Sequence, residues 1–208
     1  MFDAIFFDLD GTLVDTESLA LVTGLRAFAD LGHSVEESFM HGLVGKAEPQ
    51  AEQIIRASLP ALDIPAFRDA WRAHFEAGLN AGLPLKSGAA ELLEMLDHPL
   101  GLVTSTGRQG AHHKLGLAGI AHHFRIVVTF DDVREPKPAA EPYLLAARQL
   151  GVDPARCLVF EDSDIGAEAA HRAGCTVVQV PDVAPTEGRF ARHLAQDLLS
   201  GARAAGVI

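Results

Sequence analysis

Short apolar segments alternate with longer amphipathic segments along most of the chain, and this alternation limits the possible folds more than any other feature. Strands buried on both faces are continuous apolar runs, and a helix between successive strands gives a parallel sheet. The predicted strands are Ala4–Leu9, Leu100–Thr104, Ile126–Thr129, Cys157–Glu161 and Val177–Val180. The predicted helices between them lie near Gly88–Leu96, Gln109–Leu115, Ala139–Leu150 and Gly166–Ala173, with Gly116, Gly151 and Gly174 at helix ends.

One connection is too long for this alternation. From about Asp15 to about Lys86 there is no further strand pattern, and apolar residues recur at helical spacing. The helical patterns are Leu19–Leu31, Ala51–Leu59 and Phe67–Leu79. A connection of this length is not an ordinary loop. We therefore predict a Rossmann-like α/β core domain formed by 1–14 and 87–208, with residues 15–86 inserted as an all-helical cap subdomain.

Composition and charge limit the partners and the location. The chain has 17 Lys and Arg against 28 Asp and Glu, a net charge of −11, which repels nucleic acid and anionic lipid. No segment has the pattern of a signal peptide or a membrane span. The two cysteines, Cys157 and Cys175, lie at the edges of apolar runs and are expected to be buried free thiols in a reducing compartment. We expect a soluble cytoplasmic protein, monomeric or weakly dimeric, with no nucleic-acid or membrane partner.

Polar residues follow four of the predicted strands, at the sheet edge where open parallel sheets bind ligands. These segments are Asp8-Leu9-Asp10-Gly11-Thr12, Thr104-Ser105-Thr106, Lys137-Pro138 and Glu161-Asp162-Ser163. Each segment alone has an ordinary explanation, such as a turn, a helix cap or a surface lysine. All four occur at strand ends in one chain, and this combination favours a functional site.

The acidic residues of these segments predict a cation site. Strand alternation directs Asp8 and Asp10 to the same side, where two close carboxylates repel each other unless a cation lies between them. Glu161 and Asp162 complete an all-oxygen pocket, which suits Mg²⁺ better than Zn²⁺. Gly11 allows the chain to turn and brings backbone N–H groups close to an anion.

The segments FFDLDGTLVDTES, GLVTST, DDVREPKPAAEPYLLAA and CLVFEDSDIGAEAAHRAG resemble the four motifs of the haloacid dehalogenase superfamily. The resemblance is strongest to its phosphatase and β-phosphoglucomutase branch, which carries a helical cap after the first motif. Nearly the whole chain is covered. Two positions depart from the usual third motif, since Pro136 precedes Lys137 where glycine is common and Ala140 stands where proline is common.

The resemblance implies a phosphatase that acts on a small phosphorylated metabolite through an aspartyl-phosphate. Asp8 matches the nucleophile and Asp10 the general acid and base. Thr104 matches the phosphate-binding hydroxyl, and Ser105 is expected to add a backbone N–H. Lys137 matches the lysine that offsets charge on the nucleophile and on the transferred group.

The resemblance also implies a Mg²⁺ cofactor. Its expected ligands are the Asp8 carboxylate, the Asp10 backbone carbonyl and Asp162, with Glu161 either a further ligand or a partner of the ligands. The cap is expected to close over the site and set specificity. Lys46 is the candidate substrate contact in the cap, and Arg68, Arg72 and His74 are further candidates that fit a helix surface equally well.

Three reactions share the scaffold of this family: dehalogenation, phosphate-ester hydrolysis and phosphoryl transfer within a sugar phosphate. Dehalogenases lack the second aspartate, so Asp10 argues against that activity. Related phosphomutases carry a histidine shortly after the Asp-Thr that opens the cap, whereas here no histidine occurs in 17–21. Phosphatase is therefore the first prediction and sugar phosphomutase the second, with a sugar, polyol, hydroxy-acid or nucleotide phosphate as substrate. A non-catalytic regulatory protein would be expected to lose Asp8, Asp10 or Lys137.

Two histidine pairs, His112-His113 and His122-His123, raise the alternative of a transition-metal site. Neighbouring residues on a helix point about 100° apart, so neither pair forms a chelate alone. The sequence indicates no cysteine or carboxylate cluster that completes a tetrahedral set. Surface histidines are the preferred interpretation.

Overall fold

The structure, a computed structural model, describes residues 1–43, 48–182 and 186–208. These residues form two compact units, one made of Met1–Asp15 with Pro84–Ile208 and the other of Thr16–Leu83. The predicted boundaries fall at 14/15 and 86/87, and those of the structure at 15/16 and 83/84. Within the described ranges, no helix has the length and hydrophobicity that crossing a membrane requires.

The first unit contains a six-stranded sheet in the order β3-β2-β1-β4-β5-β6. The strands are β1 (Ala4–Phe7), β2 (Leu100–Val103), β3 (Phe124–Val128), β4 (Cys157–Glu161), β5 (Thr176–Gln179) and β6 (His193–Leu194). Each pair of neighbouring strands is parallel. The predicted α/β fold with a parallel sheet flanked by helices is confirmed. The short strand β6 was not predicted, because two residues give no periodicity.

The central strands β1 and β4 are buried along their whole length, as expected for strands covered on both faces. Phe7 and Phe160 are paired in register, and their rings stack with centroids 4.9 Å apart. Cys157 and Cys175 are both buried and free, which confirms the prediction for the thiols. The packing fixes β1 in the middle of the sheet, so residues that follow it lie centrally on its carboxyl edge.

Helices connect the strands of this unit. They are α5 (Ala89–Met95), α6 (Arg108–Ala118), α7 (Glu141–Leu150), α8 (Asp164–Arg172) and α9 (Leu198–Ala205). The prediction that Gly116 ends a helix is wrong, because α6 continues to Ala118 and ends at Gly119, which has a φ of 71°. Both glycines suit a helix end, but only Gly119 has the left-handed backbone of the C-cap.

Several strand ends also differ from the prediction. The first strand was predicted to reach Leu9 but ends at Phe7, so Asp8 and Asp10 lie in the turn that follows. The alternation argument therefore does not apply to this pair. In contrast, β3 begins two residues earlier than predicted, at Phe124.

The second unit is helical in its described residues. Its helices are α1 (Thr16–Asp30), α2 (Glu37–His41), α3 (Glu48–Ser58) and α4 (Ile64–Ala81). Aromatic side chains form its core, where Phe28 and Phe67 stack at 4.1 Å and Trp71 lies 5.6 Å from Phe67. The side chain of Asp63 accepts a hydrogen bond from the Ala66 N–H at 3.1 Å and so caps α4. This unit therefore has a hydrophobic core of its own.

We expect Phe67→Ala to destabilise the helical unit by about 3–5 kcal/mol, because Phe67 is 1% exposed and its removal leaves a cavity. Trp71 is the only tryptophan, so its emission during urea unfolding reports on this unit. The control is Val22→Ala at a position 60% exposed, which should change the stability by no more than about 0.5 kcal/mol. Equal unfolding midpoints for both variants would contradict the assigned core.

Candidate active site

Polar side chains gather beyond the carboxyl ends of the central strands. Asp8 follows β1, Thr104 follows β2 and Asp162 follows β4, while Glu161 is the last residue of β4. Lys137 lies in the connection between β3 and α7. Because these strands are parallel neighbours, residues far apart in sequence meet at one edge of the sheet.

The ammonium group of Lys137 lies at the centre of this edge. Its Nζ donates hydrogen bonds to Asp8 Oδ1 at 2.7 Å, Glu161 Oε1 at 2.6 Å and the Val103 carbonyl at 2.9 Å. The lysine side chain is only 4% exposed. Burial alone would lower the pKa of Lys137, but the charges of Asp8 and Glu161 outweigh it and raise the pKa above its ordinary value. The residue is therefore a fixed, buried cation.

Glu161 is fully buried and accepts hydrogen bonds on both carboxylate oxygens. Oε1 accepts from Lys137 and from the Tyr143 hydroxyl at 2.8 Å. Oε2 accepts from the Ser163 hydroxyl at 3.2 Å and from its N–H at 3.4 Å. These contacts hold the carboxylate in one position. They favour the prediction that Glu161 is a partner of the metal ligands over the prediction that it is itself a metal ligand.

Asp8, Glu161 and Asp162 form a cluster of carboxylates whose oxygen atoms lie within 4.8 Å of one another. Burial is the main cause that raises the pKa of Asp8 to about 7, and the charge of Glu161 adds to it while Lys137 opposes it. Burial, with the charges of Asp8 and Glu161, raises the pKa of Asp162 to about 9. The raised pKa values show that full ionisation of the cluster is costly, because three carboxylates exceed the single positive charge of Lys137. The all-oxygen donor set fits a hard divalent cation, which would offset this repulsion.

Gly11 lies against this cluster with a φ of 81°, a backbone conformation that favours glycine. A Cβ atom at this position would be 2.6 Å from Asp162 Oδ2 and 3.3 Å from Asp182 Oδ2. Asp182 is in turn paired with Lys86, whose Nζ lies 2.5 Å from Oδ1. The glycine therefore lets the backbone approach the Asp162 carboxylate, and Asp182 is a neighbouring acid that the sequence analysis missed.

The side chain of Asp10 lies in a separate set of contacts. The Thr106 hydroxyl donates to Asp10 Oδ2 at 2.6 Å, and Lys114 Nζ lies 2.6 Å from Asp10 Oδ1. The Lys114 side chain is 13% exposed. Neither contact was predicted from the sequence, because Lys114 lies inside α6 and belongs to none of the motifs.

Thr104 is buried, and its hydroxyl oxygen accepts a hydrogen bond from the Thr106 N–H at 3.0 Å. The hydroxyl can still donate its own proton to an oxygen atom. Ser105 is exposed next to it, in the turn between β2 and α6. Both residues thus lie at the carboxyl end of β2, at the edge that carries the carboxylates.

The candidates in the helical unit are not brought together in the same way. Lys46 lies outside the described residues. Arg68 pairs with Glu52, and His74 Nε2 lies 2.6 Å from Asp30 Oδ2. Arg72 is one of the residues around an apolar cavity of about 410 Å³ within this unit. The cavity is also lined by Ala20, Ala51, Ile55, Ile64, Phe67, Trp71 and Phe75.

A single carboxylate lies beside the His122-His123 pair, which gives three donor residues and not a full tetrahedral set. Glu94 of α5 lies beside both histidines, and one donor atom from each of the three residues lies within 4.8 Å of the others. This contact has no sign in the sequence, because Glu94 is separated from the pair by β2 and α6.

A family model described as haloacid dehalogenase-like hydrolase matches residues 5–180. The chain belongs to this hydrolase family. The match includes all four motifs, so the resemblance seen in the sequence is confirmed, and Asp8, Lys137 and Asp162 lie together inside the matched region.

Relatives of the chain within this family include phosphatases. It is 32% identical to fructose-1-phosphate phosphatase YqaB of Escherichia coli over 85% of this chain and 95% of the relative. A haloacid dehalogenase family hydrolase of Deinococcus radiodurans, solved with bound phosphate and sodium, has a TM-score of 0.87 at 27% identity, covering 98% of this chain and 94% of that one. A Thermotoga maritima protein described as a candidate β-phosphoglucomutase has a TM-score of 0.85 at 28% identity, covering 99% and 100%.

We expect Gly166→Ala to destabilise this hydrolase by about 2 kcal/mol or more, because the added Cβ would lie 1.8 Å from Oε1 of the buried Glu161. Gly116→Ala on α6 is the matched control, since a Cβ there meets nothing within 4 Å. It should be neutral or stabilising by up to about 1 kcal/mol. Urea unfolding followed by circular dichroism measures both, and identical curves for Gly166→Ala and the unmodified protein would contradict the packing described.

Proposed function

We propose that this chain is a Mg²⁺-dependent phosphatase that hydrolyses a small phosphomonoester through an aspartyl-phosphate on Asp8. One observation carries the proposal more than any other. Lys137 Nζ contacts Asp8 and Glu161 at 2.7 and 2.6 Å in a buried position beside Asp162. Burial of a cation with two carboxylates, next to a third that is partly buried, is costly for stability, so such a group is typical of a site kept for its chemistry.

Asp8 supplies the nucleophile in the proposed reaction. One of its oxygens attacks phosphorus, a P–O bond forms to Asp8, and the P–O bond to the leaving alcohol breaks. Lys137 holds Oδ1 of Asp8, which orients the other oxygen of the same carboxylate. Its positive charge also offsets the negative charge on the transferred phosphoryl group. The Thr104 hydroxyl is the proposed donor to a phosphoryl oxygen.

Asp10 is the proposed general acid and base. It gives a proton to the departing alkoxide, and its carboxylate then takes a proton from the water that attacks phosphorus and releases Asp8. Thr106 and Lys114 bind both oxygens of this carboxylate at 2.6 Å. These contacts would hold Asp10 in one orientation through both steps, and general acid–base catalysis depends on such positioning.

Asp8, Asp162 and the Asp10 carbonyl are the proposed Mg²⁺ ligands, with Glu161 holding Lys137 and Asp8 in place. When bound, Mg²⁺ would supply positive charge to the phosphoryl oxygens and orient the ester. The raised pKa values of Asp8 and Asp162, and the glycine at position 11 beside Asp162, support a cation at this place. The sodium and phosphate in the Deinococcus relative support it as well.

A phosphorylated sugar or sugar alcohol is the proposed substrate class. The main support is the relative that acts on fructose 1-phosphate, to which this chain is similar over most of its length. A small polar ester also agrees with a protein of net charge −11, because attraction of the phosphate then depends on the local cations of the site and not on the whole surface.

We expect the unmodified protein to release phosphate from members of a phosphomonoester panel with Mg²⁺ and to stop in excess EDTA. The panel contains fructose 1-phosphate, sorbitol 6-phosphate, glycerol 3-phosphate, phosphoglycolate and a nucleoside 5′-monophosphate. Asp8→Asn should abolish release, since the amide is a poor nucleophile. Asp97→Asn, at an exposed position, should leave the rate unchanged. Undiminished release by Asp8→Asn would refute the proposed nucleophile.

Lys114→Met should lower kcat by about tenfold with little change in KM, because Asp10 loses one of its two positioning contacts and the general acid–base step depends on its orientation. Lys114→Arg should restore part of the rate, since it keeps the charge. Gln109→Met, exposed on the same helix, is the control. A wild-type kcat for Lys114→Met would show that the lysine does not act through Asp10.

A sugar phosphomutase is the second candidate, favoured by the structural similarity to the candidate β-phosphoglucomutase of Thermotoga maritima. The same panel separates the two when glucose 1-phosphate is added. Conversion of that ester to glucose 6-phosphate, without release of phosphate, would replace the phosphatase proposal.

A further inference from the structure

The three side chains of Glu94, His122 and His123 lie at the edge of the sheet opposite the carboxylate cluster. Glu94 belongs to α5, which precedes β2, and the histidines form part of a 3₁₀ turn, Ala121–His123, directly before β3. The strands β2 and β3 are parallel, and Leu100 pairs with Phe124 at their amino ends. The topology therefore brings these side chains together at the amino edge, whereas the proposed catalytic residues follow the carboxyl ends.

The donor atoms of this group are already close to the spacing that a metal ion requires. One atom from each residue lies within 4.8 Å of the others, and His123 Nε2 is 3.7 Å from Glu94 Oε1. The imidazole rings of His122 and His123 have centroids 4.1 Å apart. Zinc bound tetrahedrally at about 2.0–2.2 Å from each donor places the donors roughly 3.3 Å apart. No pair of these donors is therefore more than about 1.5 Å beyond the spacing of a tetrahedral zinc site.

The exposure of the His123 and Glu94 side chains is also compatible with metal binding. The His123 side chain is only 14% exposed, so its ring is held by its surroundings, whereas the Glu94 side chain is 74% exposed and free to turn toward an ion. Imidazole binds metals in its neutral form.

We propose that Glu94, His122 and His123 form a binding site for a transition-metal ion of the zinc type, separate from the carboxylate cluster. Two imidazole nitrogens and one carboxylate oxygen suit Zn²⁺, Co²⁺ or Ni²⁺, whereas the all-oxygen cluster suits Mg²⁺. Water completes the coordination on the exposed side. A bound ion links the last turn of α5 to the turn before β3, so it ties two connections of the sheet that are far apart in sequence.

The test is a titration of the full chain, freed of any purification tag and of metal, with Zn²⁺ in the presence of excess Mg²⁺ that occupies the carboxylate cluster. Calorimetry gives the number of zinc ions bound, and Co²⁺ absorption in the visible region gives the ligand geometry. The variants are His122→Ala/His123→Ala and Glu94→Gln. The matched control is His112→Ala/His113→Ala, a second histidine pair that belongs to no such group among the described residues.

The proposal predicts that the unmodified chain and the control each bind one zinc ion more than His122→Ala/His123→Ala. Glu94→Gln should raise Kd by about tenfold, which corresponds to roughly 1.4 kcal/mol. If the double variant misfolds by circular dichroism, His122→Ala alone replaces it, because His122 is exposed. Equal zinc stoichiometry and affinity in the unmodified chain and the histidine variant would overturn the proposal.

Discussion

A single buried ammonium group determines how the carboxyl edge of this sheet is organised. Lys137 reaches the ends of β1, β2 and β4 through Asp8, the Val103 carbonyl and Glu161, and it comes from the connection that leaves β3. Without it, two carboxylates would lie close together in a region of low dielectric, which is far more costly than in water. Four neighbouring strands therefore share one electrostatic contact, and their relative positions at this edge depend on it.

The two aspartates of the first motif have different cationic partners. Asp8 is paired with Lys137 from the connection after β3, and Asp10 with Lys114 from α6. In addition, Asp8 is buried while the Asp10 side chain is 28% exposed. These different surroundings suit two identical side chains, two positions apart, to the different steps proposed for them, as is common for paired carboxylates in enzymes.

The sequence predicted those parts of the site that local patterns encode. Apolar runs located the central strands, and the polar residues that end them located Asp8, Thr104, Glu161 and Asp162 at one edge. The role of Lys137 came from the family motif, since a lone lysine in a loop has no distinctive pattern. Lys114 was missed because its partner, Asp10, lies in the turn after β1 and far away in sequence. Helical periodicity does not reveal which lysine of a helix contacts a distant carboxylate. Helix and strand ends depend on single backbone conformations, as at Gly119, and periodicity cannot place them.

The chain leaves and re-enters the sheet-forming unit at one place. Val14 and Leu85 form an antiparallel bridge, and the Asp15 N–H donates to the Pro84 carbonyl at 2.9 Å. The outgoing and returning segments are therefore joined as the two strands of a hairpin are, and the sheet requires only that this junction be closed. The entropic cost of closing a loop rises only with the logarithm of its length. The cost of joining the two ends at this junction therefore differs little between a short turn and a whole helical unit. Inserted segments of very different size and sequence are therefore compatible with this junction. Their exchange during evolution would leave the architecture of the carboxyl edge unchanged.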